Sequence, residues 1–200
     1  MRIPYAPTTP AEKASNETKA IYTRISERRK PRPLIPLDLA LLHNPSIADG
    51  WNTLLGAIRS KTSLDPGLME MAVSRIAILN RAVWEWTAHA PLALKGGLKR
   101  EVLDVVRRAE VVPTSLRAKT DEEEKVLSAR EWAVLAFTDQ STRAIEVDEE
   151  VFRSVEAELG ETGVMELAAT VATYNCVSRF LVAMDVGEKN GLEMVMPAEV

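Results

Sequence analysis

The sequence predicts an all-α fold, a single-domain helical bundle of about eight helices. Apolar residues recur at the 3.6-residue period of an amphipathic helix, and no stretch shows the two-residue alternation of a half-buried strand. A residue that commonly caps helices stands directly before proline in Asn44-Pro45 and Asp65-Pro66, as at many helix starts. With 46% apolar residues in a chain of 200, one sizeable core can form.

The first half of the chain contains four predicted helices. The first begins at Thr9-Pro10-Ala11-Glu12, which has the pattern of a capping box, and extends to about Arg29. The connection from Lys30 to Pro36 cannot be helical, because each proline fixes its own φ and biases the residue before it. The other three cover Asn44 to Lys61, the segment that begins at Asp65, and about Ala82 to Lys95, where Gly96-Gly97 ends the helix.

The second half of the chain continues the helical period. Its predicted helices cover Glu101 to Arg108, Thr120 to Asp139, Asp148 to Leu159 and Glu161 to Val186. The last one is apolar around most of its circumference, which is typical of a helix that is buried centrally or shared between subunits. We divide the chain into an N-terminal helix with a Pro-rich arm (1–36), a helical core (37–187) and a C-terminal tail (188–200).

Composition excludes several classes of function. One cysteine and two histidines cannot build a disulfide framework, a CxxC redox pair or a Cys/His zinc site. A net charge of −4 and a pI near 5.4 argue against a nucleic-acid partner. No stretch approaches the ~20 apolar residues that span a bilayer, so we expect a cytoplasmic protein without a membrane partner. We interpret the one basic cluster as a solvated helix end, with an anionic-surface patch as the alternative: Arg24, Arg28, Arg29, Lys30 and Arg32.

Charged groups in the fourth predicted helix stand where packing would favour apolar ones. Glu85 and His89 are four residues apart and share a face with Ala82, Trp86 and Ala93. A partly buried carboxylate stabilises an imidazolium and fixes which ring nitrogen carries the proton, as a general acid or base requires. The spacing therefore makes Glu85 and His89 candidate catalytic residues.

A second carboxylate is expected beside this pair. The short turn at Asn80-Arg81 predicts an antiparallel hairpin, which places Glu70 at about the level of His89. Burial would raise the pKa of a carboxyl group there and a protonated histidine would lower it, and the sequence leaves both outcomes open.

Other interpretations of these residues stay open. A Glu-His pair four residues apart is common on exposed helices and can be purely structural. Glu70, Glu85 and His89 could also act as ligands for a divalent metal. Arg75 lies on an otherwise apolar helix, so it either snorkels to the surface or holds a carboxylate of the protein or of a substrate. Trp86 either belongs to the core or lines a substrate pocket.

Longer sequence motifs resemble those of a known family. The run from Met69-Glu70 through RIAILNRAVWEWTAHAPLALKGGL resembles the core of the carboxymuconolactone decarboxylase and alkylhydroperoxidase D-like superfamily. The shared pattern is a Glu on one helix, then a Glu or Cys and a His four residues apart on the next. EWTAH resembles the EWxxH version of that pattern, and the resemblance continues in HNPSIADGWNTLLGAIR and YNCVSRFLVAM.

The resemblance implies a fold and a kind of chemistry. The peroxidase branch has a CxxC pair before the histidine, but those positions here hold Ala82 and Glu85, so a dithiol mechanism has no nucleophile. What remains is cofactor-free proton transfer by His89, tuned by Glu70 and Glu85, on a carboxylic acid, lactone or related carbonyl compound. Arg75 and Trp86 are the candidate substrate-binding residues, and a homo-oligomer is expected. The alternative function is a non-catalytic small-molecule binding or scaffold protein.

Overall fold

Helices form the whole secondary structure of residues 1–112 and 118–198, which are the residues that the structure, a computed structural model, describes. No strand occurs among them, and the predicted all-α fold is confirmed. The helices are α1 Asn16–Arg29, α2 Pro36–Leu41, α3 Pro45–Ser60, α4 Pro66–Asn80, α5 Val83–Lys95, α6 Arg100–Arg108, α7 Asp121–Val126, α8 Ala129–Arg143 and α9 Glu149–Met184.

The chain forms two compact units. One contains Met1–Lys61 and Ala183–Lys189, and the other contains Thr62–Val182 and Asn190–Val200. All the candidate site residues belong to the second unit. The division into arm, core and tail concerns chain segments rather than compact units, and it stays a prediction.

The two cap-plus-proline signals begin helices as predicted. Asn44 Oδ1 accepts hydrogen bonds from the backbone N–H groups of Ser46, at 3.1 Å, and Ile47, at 3.3 Å, so α3 begins at Pro45. Asp65 Oδ1 accepts from the N–H of Leu68 at 3.0 Å, so α4 begins at Pro66. These side chains satisfy N–H groups that have no partner within the helix.

Three predictions about helices differ from the structure for local reasons. α1 begins at Asn16 rather than near Pro10, because the hydroxyl of Ser15 accepts from the N–H of Thr18 at 3.1 Å and caps the helix there. The predicted helix from Thr120 to Asp139 is two helices, because Ser128 starts a new capping box with Glu131. The six-residue helix α2 was not predicted, and it begins at the last proline of the arm.

The last helix is kinked where the sequence predicts a break. Gly160 has φ 70° and ψ 172°, which is outside helical geometry, and it separates the two predicted segments within α9. The helix Glu149–Met184 is long enough and apolar enough to cross a membrane, by length and composition only. The buried core helix of a soluble protein can have the same length and composition. This is weak evidence for a membrane span. Leu167, Val171, Tyr174 and Leu181 on this helix are buried.

α4 and α5 form an antiparallel hairpin that is fixed at both ends. Arg81 adopts the left-handed conformation with φ 56° and ψ 34°, and its N–H caps the carbonyls that end α4. At the other end Gly67 lies so close to Gly96 that a Cβ on Gly67 would come within 2.9 Å of the Gly96 carbonyl oxygen. The absence of both side chains lets the two helices approach, which sets their register.

The buried guanidinium of Arg75 joins α4 to two other helices, to one by an ion pair and to the other by a hydrogen bond. The guanidinium of Arg75 donates to both carboxylate oxygens of Asp139 on α8, at 2.6 and 2.8 Å. It also donates to the carbonyl of Val106 on α6 at 2.7 Å. The Asp139 carboxylate accepts a further bond from the N–H of Val112 at 2.9 Å. Several bonds therefore compensate for the burial of both charges.

Removal of the Asp139 charge should strongly destabilise the fold. In Asp139→Asn the guanidinium of Arg75 stays buried without a counter-charge, so the free energy of unfolding should fall by about 3–5 kcal/mol. Urea unfolding followed by circular dichroism measures this change. The matched control is Asp49→Asn, which breaks the more exposed ion pair with Arg24 and should have little effect. Equal losses in the two variants would contradict the prediction.

Candidate active site

Glu70 and His89 meet across the α4–α5 hairpin. Oε2 of Glu70 lies 2.6 Å from Nδ1 of His89, and their side chains are 4% and 12% exposed. A carboxylate can only accept a hydrogen bond, so Nδ1 carries a proton and donates it.

The imidazole ring of His89 is also held from a third helix. The ring of Tyr174, on α9, meets it edge to face with the centroids 5.1 Å apart and an interplanar angle of 82°. Tyr174 itself is buried. The contact orients the imidazole while its partial exposure keeps it accessible. The sequence did not predict this role, because Tyr174 lies on the apolar last helix, far from His89 along the chain.

Glu85 is buried without a hydrogen-bonding partner for its carboxyl group. The residue is 0% exposed, and neither carboxyl oxygen has a hydrogen-bond partner within the part of the chain that the structure describes. Burial raises the pKa of Glu85 well above its ordinary value, and the nearby charge of Glu70 raises the pKa further. Both effects act in the same direction at Glu85, with burial the larger, and they favour the neutral form of its carboxyl group.

The two carboxyl groups thus differ in role although both are buried. Glu70 bonds directly to the imidazole, whereas Glu85, which the spacing pairs with His89, keeps its oxygens unbonded. A pair of titratable groups with different environments is typical of acid and base sites. Within the described residues, no group of three or more His, Cys, Asp or Glu side chains is arranged to hold a metal ion.

Trp86 lies beneath the C-terminal segment. The residue is 1% exposed, and its indole N–H donates to the carbonyl of Val195 at 2.7 Å. The tail therefore covers the indole that the sequence offered as a wall of a substrate pocket.

Arg75 is not among the groups that converge on His89. Its guanidinium is buried and bonded to Asp139, so the geometry favours the interpretation in which it holds a carboxylate of the protein. The structure brings together Glu70 and His89, with Glu85 buried near them. Arg75 and Trp86 make contacts that hold the fold together.

The segment that contains this site matches a known family. The model of the carboxymuconolactone decarboxylase family matches residues 45–121, which include Glu70, Glu85 and His89. No protein with a curated description of its function matches the chain significantly.

Three solved structures share the fold at low sequence identity. An uncharacterised peroxidase-related protein from Ralstonia eutropha JMP134, described as an alkylhydroperoxidase AhpD core, is 20% identical with a TM-score of 0.71, over 98% of this chain and 97% of its own. A protein of unknown function from Agrobacterium tumefaciens, described as a putative antioxidant defence protein AhpD, is 16% identical with a TM-score of 0.61, over 78% and 94%. The debrominase Bmp8, in complex with 2,3,4-tribromopyrrole, is 19% identical with a TM-score of 0.62, over 90% and 89%.

These likenesses show a common helical fold, and the family model matches the part of the chain that carries the Glu-His site. The chain is similar to the carboxymuconolactone decarboxylase family over residues 45–121 and shares the fold of the alkylhydroperoxidase AhpD core, while Ala82 and Glu85 stand at the positions of the CxxC pair.

Proposed function

We propose that this protein is a cofactor-independent lyase or isomerase that transfers protons next to the carbonyl group of a carboxylic acid, a lactone or a related compound. The observation that carries the proposal is the 2.6 Å contact between Glu70 and His89. Glu70 and Glu85 are buried while the imidazole is partly exposed, so His89 is the group of the three that a substrate can reach.

His89 acts as the general acid and base in this proposal. Its Nδ1–H donates to Glu70, so Nε2 takes a proton from the substrate carbon, and the Glu70 carboxylate stabilises the imidazolium that forms. The same imidazolium then returns the proton to the enolate. Isomerisation needs both the removal and the return of the proton, whereas in decarboxylation the loss of CO₂ itself leaves the enolate and a protonated His89 supplies only the proton that the carbon then takes up.

Glu85 limits the charge of the site. The raised pKa of Glu85 favours its neutral form, so Glu70 is the carboxylate that balances the imidazolium, and a substrate carboxylate meets less negative charge near His89. The family match supports the decarboxylase-like class, and the absence of the CxxC pair argues against a dithiol peroxidase.

A second candidate function is non-catalytic binding of a small molecule. The structure of the debrominase with 2,3,4-tribromopyrrole supports the idea that this fold can hold a small organic molecule.

Assembly and location stay predictions. Met165 on α9 is 60% exposed, which agrees with the expectation of a homo-oligomer formed through that helix. Cys176 is free and exposed, which is compatible with the reducing cytoplasm.

Removal of either partner of the Glu70–His89 contact should abolish proton transfer. His89→Asn and Glu70→Gln should each lower the rate by about 10²-fold or more, because the general base or the group that orients it is lost. The measurement is incorporation of solvent deuterium, and release of CO₂, across a panel of lactones and keto acids followed by NMR.

The control for this experiment is His43→Asn, which changes the other histidine, an exposed one that bonds to the Pro4 carbonyl. It should keep wild-type rates. The binding-protein alternative is favoured instead if wild-type protein binds a compound in calorimetry but exchanges no deuterium. Loss of helical structure in His89→Asn would also count against a catalytic role.

The stability of the protein should depend on the proton of Glu85. Between its ordinary value of 4.5 and the raised value in the folded state, the folded protein keeps a proton that the unfolded chain has lost. The free energy of unfolding therefore falls as the pH rises through this window. Glu85→Gln removes this loss, so its stability relative to wild type should improve as the pH rises above 4.5 towards the raised pKa of Glu85.

Urea unfolding at several pH values measures this difference. Glu146→Gln, at an exposed position, serves as the control, and its offset from wild type should stay constant with pH. An offset for Glu85→Gln that does not change with pH would show that Glu85 is ionised in the folded protein.

A further inference from the structure

A second fully buried polar side chain lies on the hairpin beside Glu85. Ser74, on α4, is 0% exposed, and its hydroxyl oxygen has no hydrogen-bond partner among the described residues. The same holds for both carboxyl oxygens of Glu85. Buried polar atoms in folded proteins normally have a partner, which is often an ordered water molecule.

The hydroxyl of Ser74 behaves differently from other buried hydroxyls in this protein. Thr138 and Thr170 are also 0% exposed, and each donates to the carbonyl four residues earlier in its own helix, at 2.7 Å. A helical serine or threonine usually satisfies its hydroxyl in this way. The oxygen of Ser74 makes no such bond, so it can take a partner from outside its own helix.

The register of the hairpin places Ser74 and Glu85 at one level. Glu70 contacts His89, and one helical turn further along each helix, towards the connection, are Ser74 on α4 and Glu85 on α5. One further turn on, the carbonyl of Ala77 accepts from the N–H of Ala82 at 2.8 Å. Ser74 and Glu85 thus lie between two contacts of the same antiparallel register.

We propose that Ser74 and Glu85 form a buried binding site for one water molecule, a helical turn from the Glu70–His89 pair, in which Ser74 positions the carboxyl group of Glu85. The water receives up to three partners, the Ser74 hydroxyl and the two carboxyl oxygens, which matches the usual number for an internal water. Ser74 is a positioning residue, because it acts on the active site through Glu85.

The surroundings of Glu85 fit a neutral acid. The nearby titratable groups are Glu70 on α4, which is negatively charged, and His89 on the same helix, which is already bonded to Glu70. The positive charge next to Ser74 in the chain, Arg75, is bonded to Asp139. The water and the hydroxyl therefore supply the hydrogen bonds that the carboxyl group lacks.

Infrared difference spectroscopy across a pH titration of the whole protein tests the assignment. We expect a C=O band of a protonated carboxylic acid at neutral pH that disappears in Glu85→Gln. In Ser74→Ala this band should move to higher frequency, because the acid loses part of its hydrogen bonding. Ser74→Thr, which keeps the hydroxyl, should retain the wild-type band.

A control variant and a crystal structure complete this test. Thr138→Val removes a hydroxyl that bonds to its own helix, so it should leave the Glu85 band unchanged. Ser74→Ala should fold, since alanine is the best helix former and only one oxygen is removed. A crystal structure should show an ordered water within hydrogen-bonding distance of Ser74 Oγ and the Glu85 carboxyl group. No acid band at neutral pH, an unchanged band in Ser74→Ala, or no such water would overturn the proposal.

The catalytic relevance of this site rests on the proposed function, but its existence does not. The infrared band and the water are observed without turnover, so the site can stand while deuterium exchange fails. If the water site and the proposed function both hold, Ser74→Ala should lower kcat and shift the pH profile of kcat while KM stays unchanged. A serine with a purely structural role would not change the pH profile in this way.

Discussion

The register of α4 against α5 is the constraint on which the rest of the site depends. It is fixed by the left-handed Arg81 at the connection and by the close approach of Gly67 and Gly96 at the far end. A shift of one residue would rotate Glu70 away from His89, because neighbouring positions on a helix lie about 100° apart. Backbone contacts that are remote from the chemistry therefore determine whether the imidazole has a carboxylate partner.

Burial then gives two chemically identical side chains different roles. Glu70 and Glu85 are both glutamates within one hairpin, yet Glu70 bonds to the imidazole, whereas burial raises the pKa of Glu85 and favours its neutral form. The same low-polarity surroundings strengthen the interaction of Glu70 with His89. A protein without thiols at the CxxC positions can in this way still build an acid and base site from carboxyl groups and one histidine.

Much of the fold and part of the site follow from local sequence signals. Asn44-Pro45 and Asp65-Pro66 predicted helix starts, since a side chain that caps its own helix needs no distant partner. The start of α1 was wrong because Thr9-Pro10 and Ser15 offer competing caps, and local pattern alone does not choose between them. The break before α8 was missed for a similar reason, since Ser128 lies inside a continuous apolar period.

The sequence by itself determined the helical class, the hairpin and the spacing of Glu70, Glu85 and His89, because these depend on periods and turns within a few residues. Only the tertiary structure decided that Arg75 bonds to Asp139, that the tail covers Trp86 and that Tyr174 holds the imidazole. Each of these contacts joins residues more than 60 positions apart, and the cost of burying a charge depends on every neighbour that displaces water. The scarcity of cysteine and histidine limited the possible chemistry, and burial determined which form of each remaining group is present.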